Sequence, residues 1–203
     1  MGPELAAIIV HDIKNALTVL EGELRRMVDA PDRDRDRAAS AHAICLGLQD
    51  KLVGFLMLYK ASSQGLTAHI EAVSPADFLA SLTRQLGSGR PEVALSVVAA
   101  GMPAVAFFDE NLVTLALEAA LQNALRFAVS RIDLACVQRD GYLAFTVQDD
   151  GPGIGAKEET VSTGLGMDLC NVIAAAHVKG ERSGVALLGN GPAGGALFEL
   201  RLP

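Results

Sequence analysis

Tyr142-Leu143-Ala144-Phe145-Thr146-Val147-Gln148-Asp149-Asp150-Gly151-Pro152-Gly153-Ile154 is the stretch on which the reading of the whole chain turns. Its first half is rich in aromatic and β-branched residues and predicts a strand. That strand runs into two carboxylates and then Gly-Pro-Gly, a sharp turn whose backbone a ligand can approach closely. A carboxylate at a strand end, beside glycines that admit a planar group or a phosphate, can accept a hydrogen bond from an exocyclic amine such as adenine N6. Asp149 is the better placed of the two acids for that contact, with Gly151 and Gly153 giving the close approach. An ordinary Asp-Gly turn carries the same residues, so the surrounding elements have to decide.

Working outward, Arg131 to Val137 pairs with Tyr142 to Val147 as a hairpin around Asp140-Gly141. Downstream, Thr163-Gly164-Leu165-Gly166-Met167 opens a helix predicted from Gly164 to His177, whose unpaired first-turn amides and dipole suit phosphate oxygens, or simply start a glycine-rich helix. Upstream, Glu110 to Ala128 reads as a long helix. It carries Asn123, an uncharged oxygen donor able to ligate Mg²⁺ or to sit as a buried amide, and Arg126, within reach of a phosphate. Val93 to Ala99 and Ala104 to Phe108 read as strands, and Val185 to Leu188 with Ala196 to Leu202 as a closing pair. Ser74 as N-cap and Pro75 at the first helical position open a helix to Leu86. The order predicts an α/β sandwich, one mostly antiparallel sheet covered on one face by helices.

The first 65 residues read differently. Leu5, Ile9, Ile13, Leu17, Leu20 and Leu24 recur at helical spacing from Glu4 to about Val28. Asp29-Ala30-Pro31-Asp32 and alternating charges through Arg37 form a solvated connector. Ala41, Cys45, Leu48, Leu52, Phe55 and Tyr59 then make a heptad seam. One hairpin cannot bury both seams, whereas two hairpins form a four-helix bundle, so a homodimer is expected. Ser62-Ser63-Gln64-Gly65 marks a linker, which divides the chain into residues 1–65 and 66–203. The class is α+β: a dimeric helical hairpin followed by the sandwich.

Within the first helix lies His11-Asp12-Ile13-Lys14-Asn15. His11 and Asn15 share a helix face, with Asp12 adjacent. An exposed imidazole beside a carboxylate that can hold its second nitrogen is a competent phosphoacceptor, and the same triplet also fits a plain wet helix face.

Composition narrows the classes. A formal net charge of −7 and the lack of a basic stripe with aromatics disfavour nucleic acid as a partner. Every apolar run is broken before the ~18 residues a spanning helix requires, so no membrane segment is expected, and Met1-Gly2-Pro3-Glu4 does not read as a signal peptide. Cys45, Cys136 and Cys170 lie far apart in apolar stretches and read as reduced core residues. A cytoplasmic location is expected, either for a separate protein or for the cytoplasmic part of a longer sensor protein.

Taken together, the motifs resemble the catalytic core of sensor histidine kinases of two-component systems. His11 to Asn15 resembles that family's H box, Asn123-Ala124-Leu125-Arg126-Phe127 its N box, Asp149 to Ile154 its first glycine box, and Thr163 to Met167 its second. Gly194-Gly195-Ala196-Leu197-Phe198 with Leu202-Pro203 resembles its closing strand. The resemblance implies a dimerisation and histidine phosphotransfer hairpin joined to a Bergerat-type ATP-binding domain, the fold shared with gyrase, mismatch-repair and heat-shock chaperone ATPases. By the same resemblance, Mg-ATP is the phosphoryl donor, Asn123 ligates Mg²⁺, Asp149 holds adenine, and Arg126, Phe127, Gly151, Gly153, Thr163, Gly164, Leu165 and Gly166 complete the nucleotide site. Asn15 would position water for dephosphorylation of a response-regulator receiver domain.

The chain departs from that family in four places. Ala119 stands where a second N-box Asn is usual, and Ala16 where a helix-kinking Pro is common. Residues 155–162, between the glycine boxes, are few and carry no Phe-rich stretch. The chain begins ten residues before His11, and no sensor segment or membrane anchor is expected within it. Two readings follow: an active histidine kinase, or a phosphotransferase that relays phosphate between receivers through His11 with a degenerate nucleotide domain. The retained glycine boxes favour the kinase.

Overall fold

The computed structural model describes residues 65–86, 90, 92–155, 165–192 and 194–203, together with 17–20, 22, 41, 48, 52, 54 and 59. By contacts the chain divides into two compact units, Met1–Gly65 and Leu66–Pro203. In the first, every described residue before Gly65 is helical. Ala41 is buried, Leu20 and Leu48 are half-buried, and Leu17, Leu52 and Tyr59 are exposed. His11, Asp12 and Asn15 lie outside the described residues, as do seam positions Leu5, Ile9, Ile13, Leu24, Cys45 and Phe55.

The second unit runs β1 (Glu71–Val73), α1 (Pro75–Leu86), β2 (Ala94–Val98), β3 (Ala106–Phe108), α2 (Glu110–Phe127), β4 (Arg131–Arg139), β5 (Tyr142–Asp149), α3 (Leu165–Ala176), β6 (Val178–Lys179), β7 (Arg182–Ser183), β8 (Val185–Asn190) and β9 (Ala196–Leu202). Local chemistry sets the boundaries. Ser74 caps α1, its Oγ accepting from the Asp77 amide at 3.3 Å. Asp109 caps α2, accepting from the Leu112 amide at 3.0 Å. Asp140 and Gly141 both take positive φ, 54° and 79°, which closes the β4–β5 hairpin on a two-residue turn.

Five strands form one sheet in the order β2-β4-β5-β9-β8, with β2 parallel to β4 and the remaining pairs antiparallel. The two-residue period of a strand sorts its faces. Ile132, Leu134 and Cys136 stand opposite Asp149, Val147 and Phe145, and Phe198, Leu200 and Leu202 opposite Val147, Phe145 and Leu143. All are buried. On this face α2 packs against β5, and α3 against β8 and β9. The other face carries Asp133, Thr146, Gln148 and Glu199. Phe78, Phe108 and Phe145 meet edge to face at the centre of the core, with centroids 5.1–5.9 Å apart.

The expected elements are present with small shifts of their ends; the strand expected from Ala104 starts at Ala106. Three strands were not expected. β1 pairs with β3, and β6 with β7, in segments of three and two residues that carry too little alternation to read.

Helices α2 and α3 are joined through His177, which is 2 % exposed. Its Nε2 accepts from the Asp109 amide at 3.1 Å, and its Nδ1 lies 2.8 Å from the Ile173 carbonyl. A carbonyl only accepts, so the network assigns the proton to Nδ1 and requires a neutral ring. Burial holds the ring's pKa below the ordinary histidine value, against the opposing pull of the Ile173 carbonyl and the Asp109 carboxylate. As pH falls through 6.5 the unfolded chain takes up a proton that the folded one does not. Stability in urea is therefore expected to decline between neutral pH and about pH 5, and His177→Gln, which keeps one acceptor and one donor, to flatten that decline. An unchanged slope in the variant would refute the assignment.

Candidate functional site

Asp149 is the last residue of β5, and the strand's period turns it toward the core, where it is 6 % exposed. A carboxylate in that position has to be hydrogen-bonded. Its Oδ1 accepts from the Gly151 amide at 2.8 Å and from the Ala196 amide at 3.1 Å. Oδ1 anchors the group, and Oδ2 takes no bond among the described residues. The end of β5, the turn after it and the start of β9 thus converge on one carboxylate.

Two glycines make that convergence possible. A Cβ on Gly195, which has φ +71°, would sit 1.9 Å from the Asp149 carbonyl oxygen. One on Gly151 would sit 2.5 Å from the Phe127 carbonyl oxygen, so the turn lies directly against the end of α2. Gly153 follows in the same turn, and the next amide, of Ile154, donates to Asn190 Oδ1 at 2.6 Å.

Helix α2 buries Leu112, Val113, Ala116, Leu117, Ala120, Leu121 and Ala124 on one face, which leaves Asn123 and Arg126 on the exposed side. The Arg126 guanidinium lies 5.0 Å from the centroid of the Phe127 ring. Gly166, in the first turn of α3, faces Asn123: a Cβ there would be 3.8 Å from Asn123 Nδ2. The structure therefore groups Asp149, Gly151 and Gly153 at the turn, and Asn123 with Gly166 beside it. Leu165 begins α3, while Thr163 and Gly164 lie outside the described residues. Asn123 is an exposed oxygen donor, not the buried amide that was the other possibility. Among the described residues no three His, Cys, Asp or Glu side chains gather into a metal cage. Cys136 and Cys170 are buried core thiols, each pushed up to about 12 by burial; Cys45 lies outside the described residues.

Three side chains at this site escaped the sequence reading. Asn190 carries no local signal, since its partner Ile154 is 36 residues away, and Arg90 has only nearby Glu92 to mark it, its bonds to the Leu125 and Ala128 carbonyls spanning 35 and 38 residues. Asp150 had one: it doubles the acid at the strand end, and Ser130 follows the helix as a short polar partner.

The fold and the turn define a class. This is the α+β Bergerat-type ATPase fold, a mixed sheet carrying helices on one face with a carboxylate and glycine turn at a strand end. Residues 108–203 match the family of histidine kinase-, DNA gyrase B- and HSP90-like ATPases. The chain is 24% identical over 208 residues to the sensor protein PhoQ of Escherichia coli K12, covering 95% of this chain and 41% of PhoQ. It thus spans about two fifths of the length of that curated relative. Its fold is similar to that of the Acinetobacter baumannii histidine kinase AdeS, with TM-score 0.72, 17% identity, and coverage of 95% of this chain and 96% of that one. It is similar as well to the histidine kinase ThkA, solved in complex with the response regulator protein TrrA, with TM-score 0.72, 17% identity, and coverage of 99% and 61%.

Gly195→Ala is expected to destabilise the domain by about 1–3 kcal/mol, the cost of strained backbone, since the methyl collides with the Asp149 carbonyl. Gly189→Ala in β8, where a Cβ meets nothing within 4 Å, serves as the neutral control. Urea midpoints for the two variants check this, and equal midpoints would contradict the close approach.

Proposed function

We propose that the chain is the core of a two-component histidine kinase that phosphorylates His11 from Mg-ATP and passes the phosphoryl group to an aspartate of a response-regulator receiver. The observation that carries this reading is the Asp149 carboxylate, with Oδ1 tied to Gly151 and Ala196 and Oδ2 left for the adenine amine. Residues 66–203 act as the ATP-binding domain and residues 1–65 as the dimerisation and phosphotransfer hairpin. Asn123 would hold Mg²⁺, which when bound would supply charge neutralisation at the phosphates. Arg126, Phe127, Thr163, Gly164, Leu165 and Gly166 frame the nucleotide around it.

In the transfer, a His11 ring nitrogen forms a bond to the γ-phosphorus as the bond to the bridging oxygen breaks and ADP leaves. Asp12 takes the proton from the other nitrogen, and Asn15 later orients water for dephosphorylation of the receiver. The receiver as partner is supported by the likeness to ThkA, whose complex holds a response regulator. A cytoplasmic setting accords with a sensor's kinase core, and among the described residues no helix is long and apolar enough to cross a membrane.

Leu17, Leu52 and Tyr59 are exposed in the single chain. Leaving such side chains wet costs about 1.5–3 kcal/mol each, which supports a homodimer through the hairpin. Light scattering is expected to give a dimer for the parent and a monomer for Phe55→Asp; a monomeric parent would overturn the arrangement.

Radiolabelled ATP tests the chemistry. His11→Gln is expected to abolish an acid-labile, base-stable label, and Asp12→Asn to slow labelling by about 10²–10⁴-fold. Asp149→Ala is expected to weaken nucleotide binding by about 1–3 kcal/mol, the cost of an unpaired amine. Label that persists in His11→Gln refutes the assignment. Labelling by a phosphorylated receiver but not by ATP would instead support the relay.

A further inference from the structure

We propose that Asp150 is a positioning residue of the nucleotide site, holding the end of α2 in fixed register with the glycine turn. This rests on the nucleotide reading above and adds a residue to it. The chain leaves α2 at Phe127, turns extended at Ala128 (φ −57°, ψ 141°) and enters β4 at Arg131. The amides exposed by that exit point at Asp150. Its Oδ1 accepts from Val129 at 2.9 Å and Ser130 at 3.0 Å, and its Oδ2 from the Ser130 amide at 3.1 Å and hydroxyl at 2.6 Å. The Asp150 amide in turn donates to the Arg131 carbonyl at 3.2 Å. One residue thus closes the loop from both its side chain and its backbone.

Arg90 acts on the same junction with the opposite charge. Its Nη1 donates to the Leu125 carbonyl at 2.6 Å and to the Ala128 carbonyl at 3.4 Å, while its Nε pairs with Glu92 at 2.7 Å. The carbonyls of the helix end therefore face a cation, and the amides just beyond it face an anion, each the favourable sense. Hydrogen bonds from Ser130, then from the backbone of residues 129–131, hold the Asp150 carboxyl well below the usual carboxylate range. It stays ionised at any physiological pH.

The consequence lies in what sits on either side. Asp150 is adjacent in sequence to Asp149 and Gly151, the adenine end of the site. Val129 and Ser130 follow directly on the helix that carries Asn123 and Arg126, the phosphate end. The Phe127 carbonyl already abuts Gly151, so contact keeps the two segments from closing further. The Asp150 bonds keep them from parting. A ligand that uses only one end does not depend on their separation; one that spans both does.

Adenosine and Mg-ATP, titrated calorimetrically against the full chain, separate these cases. Asp150→Ala is expected to weaken Mg-ATP binding about tenfold, the scale of a lost charge-assisted hydrogen bond, and adenosine binding less than about twofold. Asp150→Asn, which keeps one acceptor oxygen, and Ser130→Ala, which removes one hydroxyl, are expected to fall between Asp150→Ala and the parent. They carry the same comparison if Asp150→Ala does not fold. Equal losses for both ligands, tracking a lowered melting temperature, would reduce Asp150 to a merely structural residue and overturn the proposal, as would an unchanged Mg-ATP affinity. If the parent binds neither ligand, the nucleotide reading falls, and amide exchange then decides the clasp. Faster exchange in Asp150→Asn at 151–154 as well as at 129–130 supports coupling of the two segments; faster exchange at 129–130 alone refutes it.

Discussion

The domain of residues 66–203 is organised around a carboxylate that the strand period forces inward. Asp149 follows Leu143, Phe145 and Val147 on the buried face of β5, and cannot turn outward without exposing them. An ionised group there is tolerable only with hydrogen bonds, and the amides of Gly151 and Ala196 supply them. Those two bonds in turn dictate the neighbourhood. The turn must fold back within two residues, and β9 must start where its first amide reaches Oδ1. The backbone between has to come so near that Gly195 tolerates no side chain.

Helix α2 is the second fixed part, and its two ends are held by different chemistry. At the N-terminus, Asp109 caps the helix, receives the His69 amide at 2.7 Å and donates its own amide to buried His177. At the C-terminus, Arg90 and Asp150 hold carbonyls and amides respectively. Between those anchors the apolar stripe from Leu112 to Ala124 fixes the helix's rotation against the sheet, which leaves Asn123 on the exposed side beside Gly166. The fold thus presents an anchored carboxylate at one end and an exposed amide oxygen with a guanidinium at the other.

Much of this could be read in the chain before folding, because the signals are local. Ser74-Pro75 marks a helix start, Asp140-Gly141 a two-residue turn, and Arg131 to Val137 with Tyr142 to Val147 the strands that flank it; each is settled by residues a few positions apart. Asp149 was legible for the same reason, as an acid at the end of such a strand followed by glycines. β1, β6 and β7 were not, since a strand of two or three residues exists by virtue of its partner and not of its own pattern.

By itself, then, the sequence determined the long elements of residues 66–203, their order, and the acid and glycine turn that follow the strand from Tyr142. Only the tertiary structure decided that β2 runs parallel to β4 and that His177 is a buried acceptor for an amide 68 residues away. It alone showed Asp150 reaching across 20 residues to Ser130, and Asn190 across 36 to Ile154. The physical reason is range. Periodicity, capping and turn chemistry act between neighbours and are written in the order of residues. A hydrogen bond between distant segments forms only after the core has packed and brought its donor and acceptor within about 3 Å.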